Sequence, residues 1–360
     1  MLMIRFVSVM IMALWLMSCA NQGGRQAAEG ASQPDKETIT GLQDSKPVRI
    51  KLSIKDARPM SQSFGDIEEL RLSDAYANFV GIPGYIKVEG DTLYIIDPVK
   101  STGFYAYLHD GRQLFSYCSP GSGPEDFGML FGLTVDDTLL SSFDFSSRAL
   151  VFVDKNGNFA KRIAVNPMAC GAMADKSGGI WTNYSNQQLE TTKLSWRATP
   201  ESEEIEILPV PEYLKGMTAI SGQDLSRLDD GSINYCPVLE PRVYGLSDGK
   251  AWLKYELDFD GLWPDEATIA KEYSGNDWAS KFMSFPITTI RVEENNRWLV
   301  VSFDYEGDKY LHIFDKMRSD GATYRDDRDF YFSPEAVSGN KLYIPTKDDT
   351  IEIINLTEGD

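Results

Sequence analysis

A polar turn followed by a short apolar strand recurs six times in this 360-residue chain, and that repeat constrains the fold more than any other feature. The first copies are Gly90-Asp91-Thr92-Leu93-Tyr94-Ile95-Ile96-Asp97 and Asp137-Thr138-Leu139-Leu140-Ser141-Ser142-Phe143-Asp144. Next come Ser177-Gly178-Gly179-Ile180-Trp181-Thr182 and Asp230-Gly231-Ser232-Ile233-Asn234-Tyr235. The last are Asn295-Asn296-Arg297-Trp298-Leu299-Val300-Val301 and Gly339-Asn340-Lys341-Leu342-Tyr343-Ile344. With Leu93, Leu139, Ile180, Ile233, Trp298 and Leu342 as anchors, the spacings are 46, 41, 53, 65 and 44 residues. Six copies at a period of about 45 residues specify a propeller or a solenoid. The β-branched and aromatic content of each copy selects strands over helices.

The text after each anchor repeats as well. In the second copy a third strand, Leu150 to Asp154, leads through Asn156-Gly157 to a fourth, Phe159 to Val165. Asp110-Gly111, Asp248-Gly249 and Asp320-Gly321 occupy the matching hairpin position elsewhere, and such pairs favour the left-handed dihedrals of tight turns. Four strands per copy make one blade, so the expected fold is all-β: a six-bladed β-propeller with four-stranded blades. The last copy reaches only its third strand before the chain stops, so an N-terminal strand must close the ring. Val48 to Ile54 (VRIKLSI) alternates apolar and polar and is the expected closing strand, with Ile67 to Leu72 (IEELRL) as its competitor. Two stretches interrupt the period, residues 211–222 and 261–285. The second opens with Pro264-Asp265-Glu266, which predicts a helix from about Pro264 to Tyr273 between blades 4 and 5.

The N-terminus is organised differently. Arg5 precedes a twelve-residue apolar run, Phe6 to Met17. A bilayer-spanning helix needs about 20 such residues, so the run reads as an export signal. It ends Leu16-Met17-Ser18-Cys19, which resembles a bacterial lipobox. The implied organisation is a signal peptide over 1–18, a lipidated flexible tether over 19–46 and a propeller over 47–360. Residues 20–46 are rich in Gln, Gly, Ala and Ser without an apolar period, as a tether should be. Ala20 after the cysteine implies the outer membrane, and Ala-Asn-Gln-Gly-Gly, with no acidic run, implies its periplasmic side. Cys118, Cys170 and Cys236 stand far apart with no C-x-x-C pair and read as small buried hydrophobes.

The chain carries 54 acidic and 35 basic side chains, a formal charge of −19. That balance argues against nucleic acid, whose phosphates need clustered Lys and Arg, and against docking on an anionic leaflet by charge alone. Attachment to a membrane is expected through the N-terminal lipid only. The two histidines, His109 and His312, are too few for most His-based metal sites and disfavour a Ser-His-Asp hydrolase. No P-loop, H-E-x-x-H or G-x-S-x-G motif is present.

Residues 136–163 resemble a degenerate NHL repeat through Asp144, Arg148, Val151-Phe152-Val153-Asp154 and Gly157 with Phe159. Ser119-Pro120-Gly121-Ser122-Gly123-Pro124-Glu125-Asp126-Phe127 is similar to the G-x-G-P-x-E-F segment of TolB-like six-bladed propeller lipoproteins of Bacteroidetes. The resemblance implies a binding scaffold at the cell envelope, offering a protein or glycan partner one face and needing no cofactor.

In a propeller, the loops between second and third strands share a face with the connections between blades. That face collects Asp97, Lys100, Asp144, Arg148, Asn183, Arg242, Asp304 and Lys309 as ligand candidates. Glu125, Asp126, Phe127, Trp263 and Trp278 are the candidates for touching a partner. The same pattern fits aspartates that cap their own turns and tryptophans that pack the insertion onto the ring. An alternative reading follows from six-bladed lactonases, whose acids and Asn surround a divalent metal: Asp97, Asp144, Asn183 and Asp304 would hold Ca²⁺ or Mg²⁺ for a hydrolase or lyase.

Overall fold

The computed structural model describes residues 41–65, 67–73, 83–98, 102–185, 191–215, 217, 219, 224–273, 284–327, 334–346 and 350–357. They form six antiparallel sheets arranged as the blades of a propeller. Blade 1 contains Tyr85–Glu89, Thr92–Asp97, Gly103–Leu108 and Gln113–Tyr117, from the central channel outward. Blade 2 contains Leu130–Val135, Leu139–Asp144, Ala149–Asp154 and Phe159–Ala164, and blade 3 Gly171–Ala174, Ile180–Asn183, Thr192–Arg197 and Ile205–Pro209. Blade 4 runs Leu225–Arg227, Ile233–Tyr235, Arg242–Ser247 and Lys250–Asp258. Blade 5 runs Ile287–Glu294, Trp298–Tyr305, Asp308–Asp315 and Asp320–Arg325. Blade 6 takes Ala336–Ser338, Lys341–Pro345 and Thr350–Asn355 from the end of the chain.

The apolar runs are continuous because each inner blade strand is buried on both sides. Successive side chains of a strand point to opposite faces. Leu93 and Ile95 enter the core shared with Tyr343 and Ile351 of blade 6, while Tyr94 and Ile96 enter the core shared with Leu130 and Leu140 of blade 2. Four further interfaces repeat this logic around the ring. The hairpin turns behave as their residue types require. Asp154 accepts from the backbone N–H groups of Asn156 and Asn158 at 2.9 and 2.8 Å, and Gly157 takes φ +85° where any Cβ would meet the Phe115 ring.

The closing strand is Glu68–Arg71, paired antiparallel to Thr350–Asn355 with Leu70 opposite Ile351. Val48–Lys51 instead lies parallel on the outer edge of blade 4, with Ile50 and Leu52 buried in the core between blades 4 and 5. Connection length explains the difference. The closing strand must feed the inner strand of blade 1 as every fourth strand feeds its neighbour. The step from Arg71 to Tyr85 is 14 residues, like the 13 from Tyr117 to Leu130, whereas Lys51 to Tyr85 is 34.

The chain from residue 41 to 71 therefore follows the rims of blades 4, 5 and 6 in turn. Leu42–Gln43 pairs with Ala251 and Trp252, so this edge begins before the expected boundary at 46. Arg58–Pro59 pairs with Tyr324 and Arg325, and the Ser61 backbone N–H donates to Asp327 at 2.9 Å. The helix of the 261–285 insertion is Glu266–Glu272, capped by Asp265, whose carboxylate accepts from the Thr268 N–H at 2.7 Å.

Two stability predictions follow from these positions. Leu70 is 4% exposed and Val48 is 50% exposed. Leu70→Ala should cost about 2–5 kcal/mol in denaturant melts and Val48→Ala no more than about 0.5 kcal/mol; equal costs would argue against closure by Glu68–Arg71. His312 is buried, with Nδ1 at 3.0 Å from the Thr323 hydroxyl and no partner on Nε2. Burial lowers its pKa to about 4, opposed by Asp320. The unfolded chain then binds the proton more readily, so stability present above about pH 6.5 is lost as pH falls toward 4. The loss should be on the order of 3 kcal/mol, and His312→Gln should flatten that stretch of the pH–stability curve; an unchanged slope would reject the assignment.

Candidate binding face

Strand direction gathers the ends of second strands, the starts of third strands and the inter-blade connections on one face, here called the loop face. The blade 1–2 sector of that face is built around two aspartates. Asp144, last residue of its strand, accepts from the N–H groups of Gly128, Met129 and Ser146 at 3.2, 3.2 and 3.1 Å. It also accepts from the Ser147 hydroxyl and from Arg162 Nη2, the latter at 2.9 Å. The basic partner is thus Arg162, on the outermost strand. Arg148 sits at φ 53°, donates to the carbonyls of Pro167 and Phe145, and lies 3.4 Å above the Phe145 ring. The expected Asp144–Arg148 pair gives way to these local bonds because the turn points the arginine back over its own loop.

The Ser119 to Phe127 segment folds around Asp126, whose carboxylate accepts from the Ser119 hydroxyl and the Gly123 N–H, both at 2.8 Å. The Gly123 N–H, then Ser119, hold that carboxyl below its usual range. Gly121 is required here, since a Cβ would stand 2.3 Å from Asp126 Oδ2. Arg162 Nη2 clamps the loop through the Asp126 carbonyl at 2.6 Å. Phe127 is 0% exposed and meets Phe104 edge-on, so it anchors the loop and cannot touch a partner. Glu125 is the exposed member of the expected trio.

Blades 3 and 4 share a buried polar ribbon. Asn183 donates to Asp224 at 3.0 Å and accepts from the Tyr235 hydroxyl at 3.1 Å and the Ser185 N–H at 2.7 Å. Lys193, 1% exposed, donates to Glu240 at 2.7 Å and to the Val238 carbonyl at 3.0 Å. Arg242 continues the chain of charges outward, 3.3 Å from Glu240 and 3.8 Å from Glu266 on the insertion helix. Above this ribbon the two insertions meet in a small core of their own, with Leu214, Met217, Leu239, Ile269 and Phe285. Trp263 belongs to that packing: it stacks on Phe259 and meets Phe285 edge-on, which holds it half-buried and removes it as a free aromatic platform. Lys193, Glu240, Asp224 and Tyr235 were not signalled by any local motif. The one hint is a lysine inside the apolar strand Thr192–Arg197.

The remaining candidates are dispersed. Asp97 is buried at the end of its strand opposite Gly103. Asp304 and Lys309 are cross-strand neighbours beside a shallow pocket with Met60, Tyr310 and Asp326. Lys100 and Trp278 lie outside the described residues, as does Cys19. Among the described residues, no group of three His, Cys, Asp or Glu side chains is placed to hold a metal.

The channel is crossed by ion pairs. Lys87 of blade 1 reaches Glu293 of blade 5 at 3.2 Å, and Arg227 of blade 4 reaches Asp136 of blade 2 at 2.5 Å. Arg291 forks onto Glu335, with Nη2 at 2.6 Å from Oε2, and lies 5.4 Å from the Tyr85 ring centre. Burial pushes the Glu335 carboxyl up, and the guanidinium opposes it. The cavity left among Tyr85, Asp224, Asn234, Arg291 and Glu335 offers about 20 Å³ to the centre of a water-sized sphere. That is room for water and not for a sugar or lactone ring.

Comparison with known proteins returns the same architecture. A family model for DUF5128, a 6-bladed β-propeller, matches residues 44–328. A Bacteroides fragilis protein described as exported superposes with a TM-score of 0.70 at 14% identity, over 85% of this chain and 99% of that one. A DUF4221 member from Bacteroides vulgatus gives 0.55 at 9% identity, over 81% and 96%. A gluconolactonase from Xanthomonas campestris gives 0.47 at 14% identity, over 90% and 98%. These likenesses concern the fold. No curated protein matches the sequence.

Breaking the buried ribbon should be costly. Lys193→Met strands Glu240 beside one arginine, with an expected loss of about 3–5 kcal/mol. Lys193→Met combined with Glu240→Leu should recover part of it. A neutral single variant in thermal melts would contradict the pairing.

Proposed function

The chain belongs to the DUF5128 family of six-bladed β-propellers, and from that premise we propose that it is an exported binding scaffold. It is anchored at the outer membrane through a lipid on Cys19, on the periplasmic side, and offers its loop face to a protein or glycan partner. The observation that carries this reading is the internal bracing of that face. Asp126, Asp144 and Arg162 hold the 119–147 loops by bonds among themselves. A surface braced before contact loses little conformational entropy on binding. The exported Bacteroides fragilis propeller supports the same cellular setting.

The lactonase-like alternative needs open oxygen ligands converging on one point. Asp144 spends its lone pairs on four backbone and hydroxyl donors and Arg162, and Asn183 is spent on Asp224, Tyr235 and Ser185. A bound metal raises stability by mass action. EDTA, Ca²⁺ or Mg²⁺ should therefore leave the Tm of the full chain unchanged within about one degree; a shift of several degrees, reversed by one cation, would restore the hydrolase reading. The binding reading is tested by probing envelope glycans and solubilised envelope proteins with the full chain. Glu125→Lys with Arg242→Glu, on the loop face, should abolish capture, while Lys155→Glu, on the opposite face, should not. Equal loss in both variants would overturn the assignment of the face.

A further inference from the structure

The outer strand of a blade exposes backbone N–H and C=O groups that its own sheet does not satisfy. In two blades this chain covers that edge itself. Val48–Lys51 lies parallel on Lys250–Asp258 of blade 4, and Arg58–Pro59 lies parallel on Asp320–Arg325 of blade 5. Each is a fifth strand. The one on blade 4 shows what chemistry such an edge accepts. Ile50 and the following Leu52 are buried, while Arg49 and Lys51 stay exposed. The two basic side chains meet acids at the end of the outer strand, Arg49 at 2.9 Å from Asp258 and Lys51 at 4.0 Å from Asp260.

Among the described residues, no strand lies against the outer strands of blades 1, 2 and 3. Their charges differ. Gln113–Tyr117 of blade 1 carries none, and Phe159–Ala164 of blade 2 carries Lys161 and Arg162. Ile205–Pro209 of blade 3 is acidic, with Glu206 in the strand and Glu201, Glu203 and Glu204 in the hairpin before it. Glu201, Glu203 and Glu206 are exposed, as is Ile205 at 44%. Few cations oppose them. Lys193 is spent on Glu240, and Lys215 on Glu212. Arg197 donates to the carbonyls of Pro200 and Ala164, and Lys161 lies over the Phe152 ring. The hairpin of blade 4, whose Gly249 abuts Trp196, brings Asp248 and Lys250, one charge of each sign. Even with Arg197 and Lys161 counted against the four glutamates, the edge keeps an acidic excess.

We propose that residues 205–208 form a second interaction surface, apart from the loop face, which takes an extended basic segment of a partner protein as a parallel fifth strand of blade 3. Backbone hydrogen bonds give such an addition its affinity, and alternate side chains give it specificity. The segment alternates apolar and basic residues, as the fifth strand of blade 4 does. Its apolar side chains pack beside Ile205, and its basic ones meet Glu203 and Glu206. Pro209 has no N–H to offer and ends the edge after four residues, the length of Val48–Lys51. Two copies of so acidic an edge repel each other, which disfavours edge-to-edge pairing of this chain with itself.

The probe is a labelled synthetic peptide with the sequence of residues 48–54, VRIKLSI, added to the full chain, whose own blade 4 edge is already covered. The control peptide carries Glu at both basic positions. The basic peptide should bind and the control should not. Glu203→Lys with Glu206→Lys, both at exposed positions, should weaken binding about fivefold or more, and bound peptide should slow amide exchange at 205–208 but not in Gln113–Tyr117. Equal affinity for the double variant, or binding that leaves exchange at 205–208 unchanged, overturns the proposal. An edge already held by a second copy or by another part of the chain would leave the peptide unbound, and that result overturns it too. Neither substitution touches Glu125 or Arg242, so capture through the loop face is read separately and stands or falls on its own.

Discussion

Everything in this molecule depends on a short ladder between its two ends. Glu68–Arg71 lies against Thr350–Asn355, some 280 residues away in sequence, and without it blade 6 has three strands and an open rim. Each inter-blade core needs a blade on both sides, so closure turns six weak sheets into one continuous ring of cores. Leu70 is the residue through which this happens: it pairs with Ile351 and fills the core between blades 6 and 1. The rim segment before it fastens blades 4, 5 and 6, through Ile50, Leu52 and Met60.

Closure also dictates the handling of charge. Small inner-strand residues such as Gly171–Ala174 let the ring draw in, and polar side chains from opposite blades then meet at the centre. The buried members, Glu293 and Arg227, each keep a partner across the channel, in Lys87 and Asp136. Glu294 follows the same rule between blades. Burial alone would raise its carboxyl, but Lys254, Lys316 and Asn234 hold it below the usual range. Such pairs tie opposite blades together across the channel.

The blades were legible because their second strands are sandwiched and so read as unbroken apolar runs with turn residues in front. The insertion helix was legible from Pro264-Asp265-Glu266. The closing strand was not, since VRIKLSI alternates more regularly than IEELRL and only the length of the connection to blade 1 favours the latter. The candidate site was read in part. The second-strand aspartate Asp144 was found, but its partner came from position 162 rather than 148. Lys193 and Glu240 stand 47 residues apart and meet only because two blades do. Phe127 and Trp263 show the usual ambiguity of aromatics in loops, where anchoring a loop and offering a platform look alike in sequence.

Hydrogen exchange read by mass spectrometry tests the closed ring most directly. The account predicts that amides of 68–71 and 350–355 exchange together with those of the inner strand Ile287–Glu294, at the slow limit set by global unfolding. Fast exchange of 68–71, with the other blades still protected, would show an open ring and contradict the account.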